Sequence, residues 1–264
     1  MAEQYLHSAE KLLTVMELLA GSDMELGVSD ISRKLSMTTS TAHRLLITLE
    51  KRGYAEQNPK TGKYKPGMKI VSIGASILNN TNIIAVCRPF LEAVSQETGE
   101  TTHLALYSLG EIIFVDKVSG SNPSKINSLV GQRRPAYSTA TGKVWLAFMN
   151  PEELTRYLEQ VQFHPYTPYT ITDKESLTRI IEEIRHKGYG EDQQEADEGL
   201  VCLAAPIRDV SGKIVAAISV SGPGSRLNPK RLDYAEIIKQ AAEHASRACG
   251  WNKELVWKYG KNTY

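Results

Sequence analysis

"SMTTSTAHRLLITLEKRGY", residues Ser36–Tyr54, sets five hydroxyl side chains (Ser36, Thr38, Thr39, Ser40 and Thr41), then His43 and Arg44, at the front of a leucine stripe. Ala42, Leu45, Leu46 and Leu49 follow the i, i+3, i+4, i+7 spacing of an amphipathic helix, and Gly53 supplies its stop. With that stripe turned inward, Thr39, Ser40, His43, Arg44 and Lys51 face out. The hydroxyls then have two compatible readings: Thr38 caps the helix, and its small neighbours touch something. The flanking sequence bears on the choice.

Upstream, Leu12, Val15, Met16 and Leu19 repeat the same period and predict a helix that stops near Gly21. A short second helix comes after it, with Ser29 as its expected cap and Ile31 and Leu35 inward. Downstream, "YAEQ" and "GKYK" flank "NPKTG", whose Pro59 and Gly62 predict a β-hairpin. Three helices and a hairpin make a winged helix-turn-helix over residues 1–66.

Charge agrees with that reading. Between Arg33 and Lys65 there are eight cations and two acids, a net of +6, so with +1 overall the remainder of the chain carries −5. A basic module suggests a polyanionic partner, here double-stranded DNA. Thr38, Thr39, Ser40, Thr41, His43 and Arg44 stand at the start of the expected recognition helix, where backbone N–H groups attract phosphate and short side chains reach base edges. Arg44 suits a guanine or a phosphate equally. Lys60 and Lys63 lie on the wing, beside the sugar-phosphate track. Next, "GMKIVSIGASILNN" places Ile70, Ile73 and Ile77 on one side of a helix over residues 67–81, read as a linker or dimer helix, or as a core helix of the second domain.

The whole composition bounds the rest. Hydrophobic content of 41% and charged content of 23% belong to a globular chain, and 264 residues suffice for two ordinary domains. No apolar run reaches the roughly 20 residues of a membrane span, and the N-terminus lacks the basic-then-apolar order of a signal peptide. Cys87, Cys202 and Cys249 lie far apart without metal-ligand spacing, which favours free thiols in a cytoplasmic protein.

From about residue 82 the pattern changes. A helix ("IIAVCRPFLEAVSQETG") leads to the strand-like runs "THLALYSL", "EIIFVDKV" and "KINSLVG", then to a loop entering a helix, "RRPAYSTATGKVWLAFM". Two charged helices come next. "GLVCLAAPIRD" and "GKIVAAISVSG" predict a central hairpin turning at Ser211–Gly212, and a last helix runs from Pro229 to Cys249. Strands flanked by helices imply an α+β sensor-like domain over residues 82–252, leaving 253–264 as a tail.

Catalytic signatures are weak. "TATGK" lacks the first glycine of a phosphate loop, which would fall at Tyr137, and has Val144 where the magnesium-binding hydroxyl belongs. The six histidines, His103 among them, show no i, i+4 pairing and read as surface or core residues. Asp192 and Cys202 have no histidine nearby in sequence to activate the thiol. The expectation is therefore a protein that is not an enzyme, with no catalytic residue, no cofactor and no metal site; the alternatives are a small-molecule enzyme using a pocket at Asp192 and Cys202, and a DNA-binding protein without an effector.

A binding pocket is legible instead. "YSTATGK" places Ser138, Thr139 and Thr141 at a helix start, where free N–H groups accept a carboxylate. "GYGEDQQEADEGLVC" contributes Asp192 after a glycine turn and Cys202 in a buried strand, and "ISVSGPG" sets Ser219 and Ser221 on one strand face. Such a set suits a small hydroxylated acid. Each also has a plain reading: Ser138 caps, Asp192 pins a turn, Cys202 fills core.

The blocks "STAHRLLITLEKRGY", "YSTATGKV", "GYGEDQQEADEGLVCLAAPI" and "AAISVSGP", in this order and spacing, resemble the IclR family of transcriptional regulators from about Ser8 to Gly250. The wording of "VGQRRPAYSTATGKVWLA" and "GYGEDQQEADEGL" is similar to the 2-keto-3-deoxygluconate regulators (KdgR-like) within it. The resemblance implies a winged helix joined by a linker helix to a GAF-like α/β effector domain. It also implies homodimers or homotetramers on palindromic operators, and a small-acid effector such as 2-keto-3-deoxygluconate. Its effector set corresponds here to Thr139, Ala140, Thr141, Asp192, Cys202, Ser219 and Ser221; Ala140 stands where some members have glycine, which narrows the approach to the helix start.

Overall fold

A computed structural model describes residues 6–73, 83–122 and 128–251. The chain divides into two compact units, Met1–Thr81 and Asn82–Tyr264. Among the described residues no helix is long and apolar enough to cross a membrane.

The first unit holds α1 (His7–Ala20), α2 (Val28–Lys34), α3 (Thr39–Lys51), β1 (Ala55–Gln57) and β2 (Tyr64–Pro66). Its core gathers one apolar stripe from each helix: Val15 and Leu19, Ile31, then Ala42, Leu46 and Leu49, closed by Leu26, Ala55 and Tyr64. Each large aliphatic among them contributes about 1.5–3 kcal/mol by leaving water. α3 ends in a glycine-dependent cap: Gly53 adopts φ +76°, its N–H donates to Glu50 O, and Tyr54 N donates to Leu49 O. The cap of α2 is Gly27 rather than Ser29, because Asp30 reaches back to accept from Gly27 N (3.1 Å) and starts the helix earlier. β1 and β2 pair antiparallel in the register Ala55↔Pro66, and Leu26 bridges to Tyr64 as an additional short strand that no periodicity announces. Residues 68–73 are helical (α4), with Met68 and Val71 exposed. Ile77 lies outside the described residues.

The second unit is a six-stranded sheet in the order β5-β4-β3-β8-β7-β6. Its strands are β3 (Thr101–Ser108), β4 (Glu111–Val118), β5 (Arg133–Pro135), β6 (Gly190–Gln193), β7 (Leu200–Arg208) and β8 (Ile214–Pro223). Every neighbouring pair is antiparallel. Alternation along β7 and β8 sorts the side chains. Val201, Leu203, Ala205, Ala216, Ile218 and Val220 meet α5 (Ile83–Thr98) and α10 (Arg231–Ala248) on one face. Smaller residues, Ala204 and Ala217, meet α6 (Ala140–Phe148) and α8 (Lys174–Lys187) on the other. Two short elements complete the unit: α7 (Pro151–Gln160), capped by Asn150, and α9 (Gly224–Leu227).

The expected strand "KINSLVG" is not one over residues 128–131, and residues 125–127 lie outside those described. The edge strand falls later, at Arg133–Pro135, in what reads as loop, because pairing with Glu111–Ile113 supplies the ladder that local pattern does not reveal. The tail 253–264 also lies outside the described residues.

Candidate functional site

At the front of α3, Thr38 is the N-cap: its Oγ1 accepts from Thr41 N at 3.2 Å and lies 2.9 Å from the Thr41 hydroxyl. Thr39, Ser40, His43 and Arg44 are exposed, Thr41 is half-buried, and Lys60 and Lys63 are exposed on the β1–β2 turn. That turn is anchored from below: Asn58 Nδ2 and Thr61 Oγ1 donate to the Glu25 carboxylate at 2.9 and 3.0 Å. These hydrogen bonds, led by that from Asn58, lower the Glu25 pKa. The first unit thus presents one helix start with hydroxyls and an arginine, and one stiffened basic turn.

In the second unit a cavity of about 350 Å³ opens beside the start of α6. Its floor is a row across the sheet. Strand register places Asp192 of β6 opposite Cys202 of β7, Cys202 opposite Ser221 of β8, and Ser221 opposite Thr101 of β3. The next row sets Ser219 opposite His103. Asp192, Cys202, Ser221, Ser219 and His103 all line the cavity. Thr139, Ala140 and Thr141 form its roof at the α6 start. Thr139 is the N-cap, accepting from Gly142 N at 3.1 Å, while the first-turn N–H groups of Ala140 and Thr141 have no helical acceptor. Gly142 lets α6 sit there, since a Cβ would come within 2.2 Å of Ala136 O. Ser138 is a sequence-predicted residue that does not line the cavity; its hydroxyl donates to Pro135 O at 3.2 Å.

Electrostatics distinguish the walls. Asp192 is buried, and desolvation pushes its carboxyl up to about 7, moderated by Lys143 and reinforced by Glu195. Its Oδ1 accepts from Glu195 N at 2.6 Å. It sits on the edge strand β6 and, through that hydrogen bond, pins the turn that follows. Lys143, from the second turn of α6, is buried against Glu195 in an ion pair at 2.5 Å. Burial raises the Cys202 thiol, and the Asp192 carboxyl adds to the effect. On the exposed side, Arg134 of β5 meets Asp197 at 3.3 Å.

Cysteine, histidine and aspartate therefore share one cavity, a proximity absent from the linear sequence. The geometry nevertheless does not pair Cys202 with His103 as nucleophile and base. Among the described residues Cys202 and His103 share no hydrogen bond: His103 Nε2 lies 2.6 Å from Ser128 Oγ, and the thiol is shifted away from thiolate. His103, Ser128, Gln132 and Arg134 are lining residues that sequence reasoning overlooked. His103 is buried, as the core reading expects, and also lines the cavity. Its position in the alternating run "THLALYSL" could have flagged it, but only the register with Ser219 shows that it faces the polar side.

Comparison with known proteins covers both units. The IclR helix-turn-helix domain model matches residues 8–59, and the model of the bacterial transcriptional regulator IclR C-terminal domain matches residues 75–247. The chain is 34% identical over 247 residues to the HTH-type transcriptional regulator XynR of Escherichia coli, covering 93% of this chain and 98% of that one. It is 33% identical over 246 residues to the E. coli HTH-type transcriptional regulator KdgR, covering 93% of each. Among solved structures, an IclR homolog from Microbacterium hydrocarbonoxydans complexed with 4-hydroxybenzoate superposes with a TM-score of 0.78 at 26% identity, covering 92% of this chain and 99% of that one.

Proposed function

Because the chain belongs to the IclR family of bacterial transcriptional regulators, we propose that it is a ligand-responsive repressor of a carbon-catabolism operon, acting in the cytoplasm as a homodimer or homotetramer. In this reading residues 1–66 bind double-stranded operator DNA, 67–81 link, and 82–252 form the GAF-like effector domain. Thr39, Ser40, His43 and Arg44 meet base edges and phosphates, Thr38 and Thr41 order the helix start, and Lys60 and Lys63 anchor the wing. The effector is a small carboxylate, of which 2-keto sugar acids are the favoured class. Its carboxylate sits at the N–H groups of Ala140 and Thr141, and Asp192, Cys202, Ser219 and Ser221 hold the rest.

The observation that carries this is the row Asp192–Cys202–Ser221 running beneath a helix start inside one cavity. N–H donors on the roof and a floor carboxyl whose ionisation is opposed by burial suit an anion better than a cation. The solved IclR homolog complexed with 4-hydroxybenzoate, a monocarboxylate, supports an acid effector. Regulation comes from linkage: an effector that prefers one arrangement of the assembly shifts operator affinity, and about 1–3 kcal/mol of coupling gives a 5–150-fold change.

A thermal-shift screen against small organic and sugar acids tests the reading. A binding acid raises Tm by mass action, and Asp192→Ala abolishes the shift. Silence of every acid, with DNA binding intact, would refute the sensor half.

A further inference from the structure

We propose that His103 is a specificity residue of the cavity, reading a hydroxyl of the effector remote from its carboxylate. This rests on the acid-sensing reading above and narrows it.

Position is the first observation. The α6 start lies over β6, since a Cβ placed on Gly190 would stand 3.2 Å from Ala140 O. His103 belongs to β3, and the sheet order puts β7 and β8 between β6 and β3. A ligand group that meets His103 is therefore not the one held at the α6 start.

Chemistry is the second. His103 is 2% exposed and lines the cavity, its ring 4.7 Å from that of Phe114. Nε2 is engaged by Ser128 Oγ at 2.6 Å, and Ser128 is itself held by Lys117 Nζ, which donates to its carbonyl at 2.8 Å. Nδ1 is buried without a hydrogen-bond partner among the described residues. Orphaned buried polar atoms are uncommon, and a ligand group that supplies the missing bond gains by it. Burial, with Lys117 nearby, pushes this imidazole down to about 3, so it meets a ligand as a neutral ring with one donor and one acceptor. A hydroxyl matches either role, whereas a carboxylate, which only accepts, fits just the tautomer with its proton on Nδ1. His103 therefore favours a neutral polar group.

Calorimetric titration of the purified full chain decides the matter, using gluconate and 2-keto-3-deoxygluconate as hydroxylated monoacids, pyruvate as the short acid and 2-oxoglutarate as the dicarboxylate. A hydroxylated monoacid binds tightest. His103→Phe, which keeps a ring beside Phe114, weakens it about tenfold or more, while His103→Gln, which restores a donor and an acceptor, stays within about threefold. The unliganded melting temperatures of both variants check that they fold. If His103→Phe leaves the affinity intact while Asp192→Ala abolishes it, the acid-sensing reading survives and the role of His103 is refuted. Tighter binding of pyruvate or 2-oxoglutarate than of either hydroxylated acid refutes it too. Failure of all four to bind the wild type overturns both readings.

Discussion

Asp192 holds a carboxyl where ionisation is costly, and the sign of that cost can be measured. Its folded-state pKa of about 7 stands above the ordinary 3.8. Below pH ~4 both folded and unfolded chains carry the proton and the residue contributes no pH dependence. From there to about pH 7 the unfolded chain releases the proton first, so stability falls as pH rises, by about 1.4 kcal/mol per unit for this one group. Asp192→Asn keeps the oxygen that accepts from Glu195 N and removes the titration. The melting temperature of the variant relative to wild type should therefore rise between about pH 5 and pH 8. A flat difference would show that the carboxyl is not buried as described. Lys143 and Glu195 behave differently: their pair is buried and mutual, so removing either side leaves an uncompensated charge beneath the cavity.

At the scale of elements, α3 separates two jobs that one run of hydroxyls conceals. Thr38 commits its oxygen to Thr41 N, whereas Ser40 is exposed and has no hydrogen-bond partner within the described chain. Thr38→Ala should lower the stability of the first unit by about 1 kcal/mol, the worth of an N-cap. Ser40→Ala should leave melting within about 0.5 kcal/mol of wild type and weaken DNA binding. Thermal melts beside gel-shift titrations read both, and a Ser40→Ala protein with unaltered DNA affinity would remove that hydroxyl from the interface. The helical stripes of both units are legible because burial repeats every 3.6 residues. β5 is not, since three residues carry no period and pair only because β4 lies alongside.

Across the whole molecule, the proposed regulation is an exchange of free energy between two units with separate cores. Linkage makes it reciprocal: the factor by which an acid changes DNA affinity equals the factor by which DNA changes acid affinity. Using a DNA fragment that the protein selects from a random pool, the two factors should agree. Acid affinity that is indifferent to bound DNA, alongside DNA affinity that responds to acid, would mean that the acid acts elsewhere. The +6 of residues 33–65 against the −5 of the remainder also predicts that DNA binding weakens steeply with salt.

The sequence by itself determined the helix-turn-helix with its hairpin, the central β7–β8 hairpin and, of the residues that line the cavity, Thr139, Ala140, Thr141, Asp192, Cys202, Ser219 and Ser221. Periodicity, turn residues and short motifs are local, and local patterns survive in a linear text. Tertiary structure alone decided that Asp192, Cys202 and Ser221 form one row, that Ser138 turns away to Pro135, and that His103 faces Ser219 across β3 and β8. The rows depend on strand register between segments far apart in the chain, as in the pairs Thr101↔Ser221 and His103↔Ser219. A shift of one residue in that register would turn each of these side chains to the opposite face.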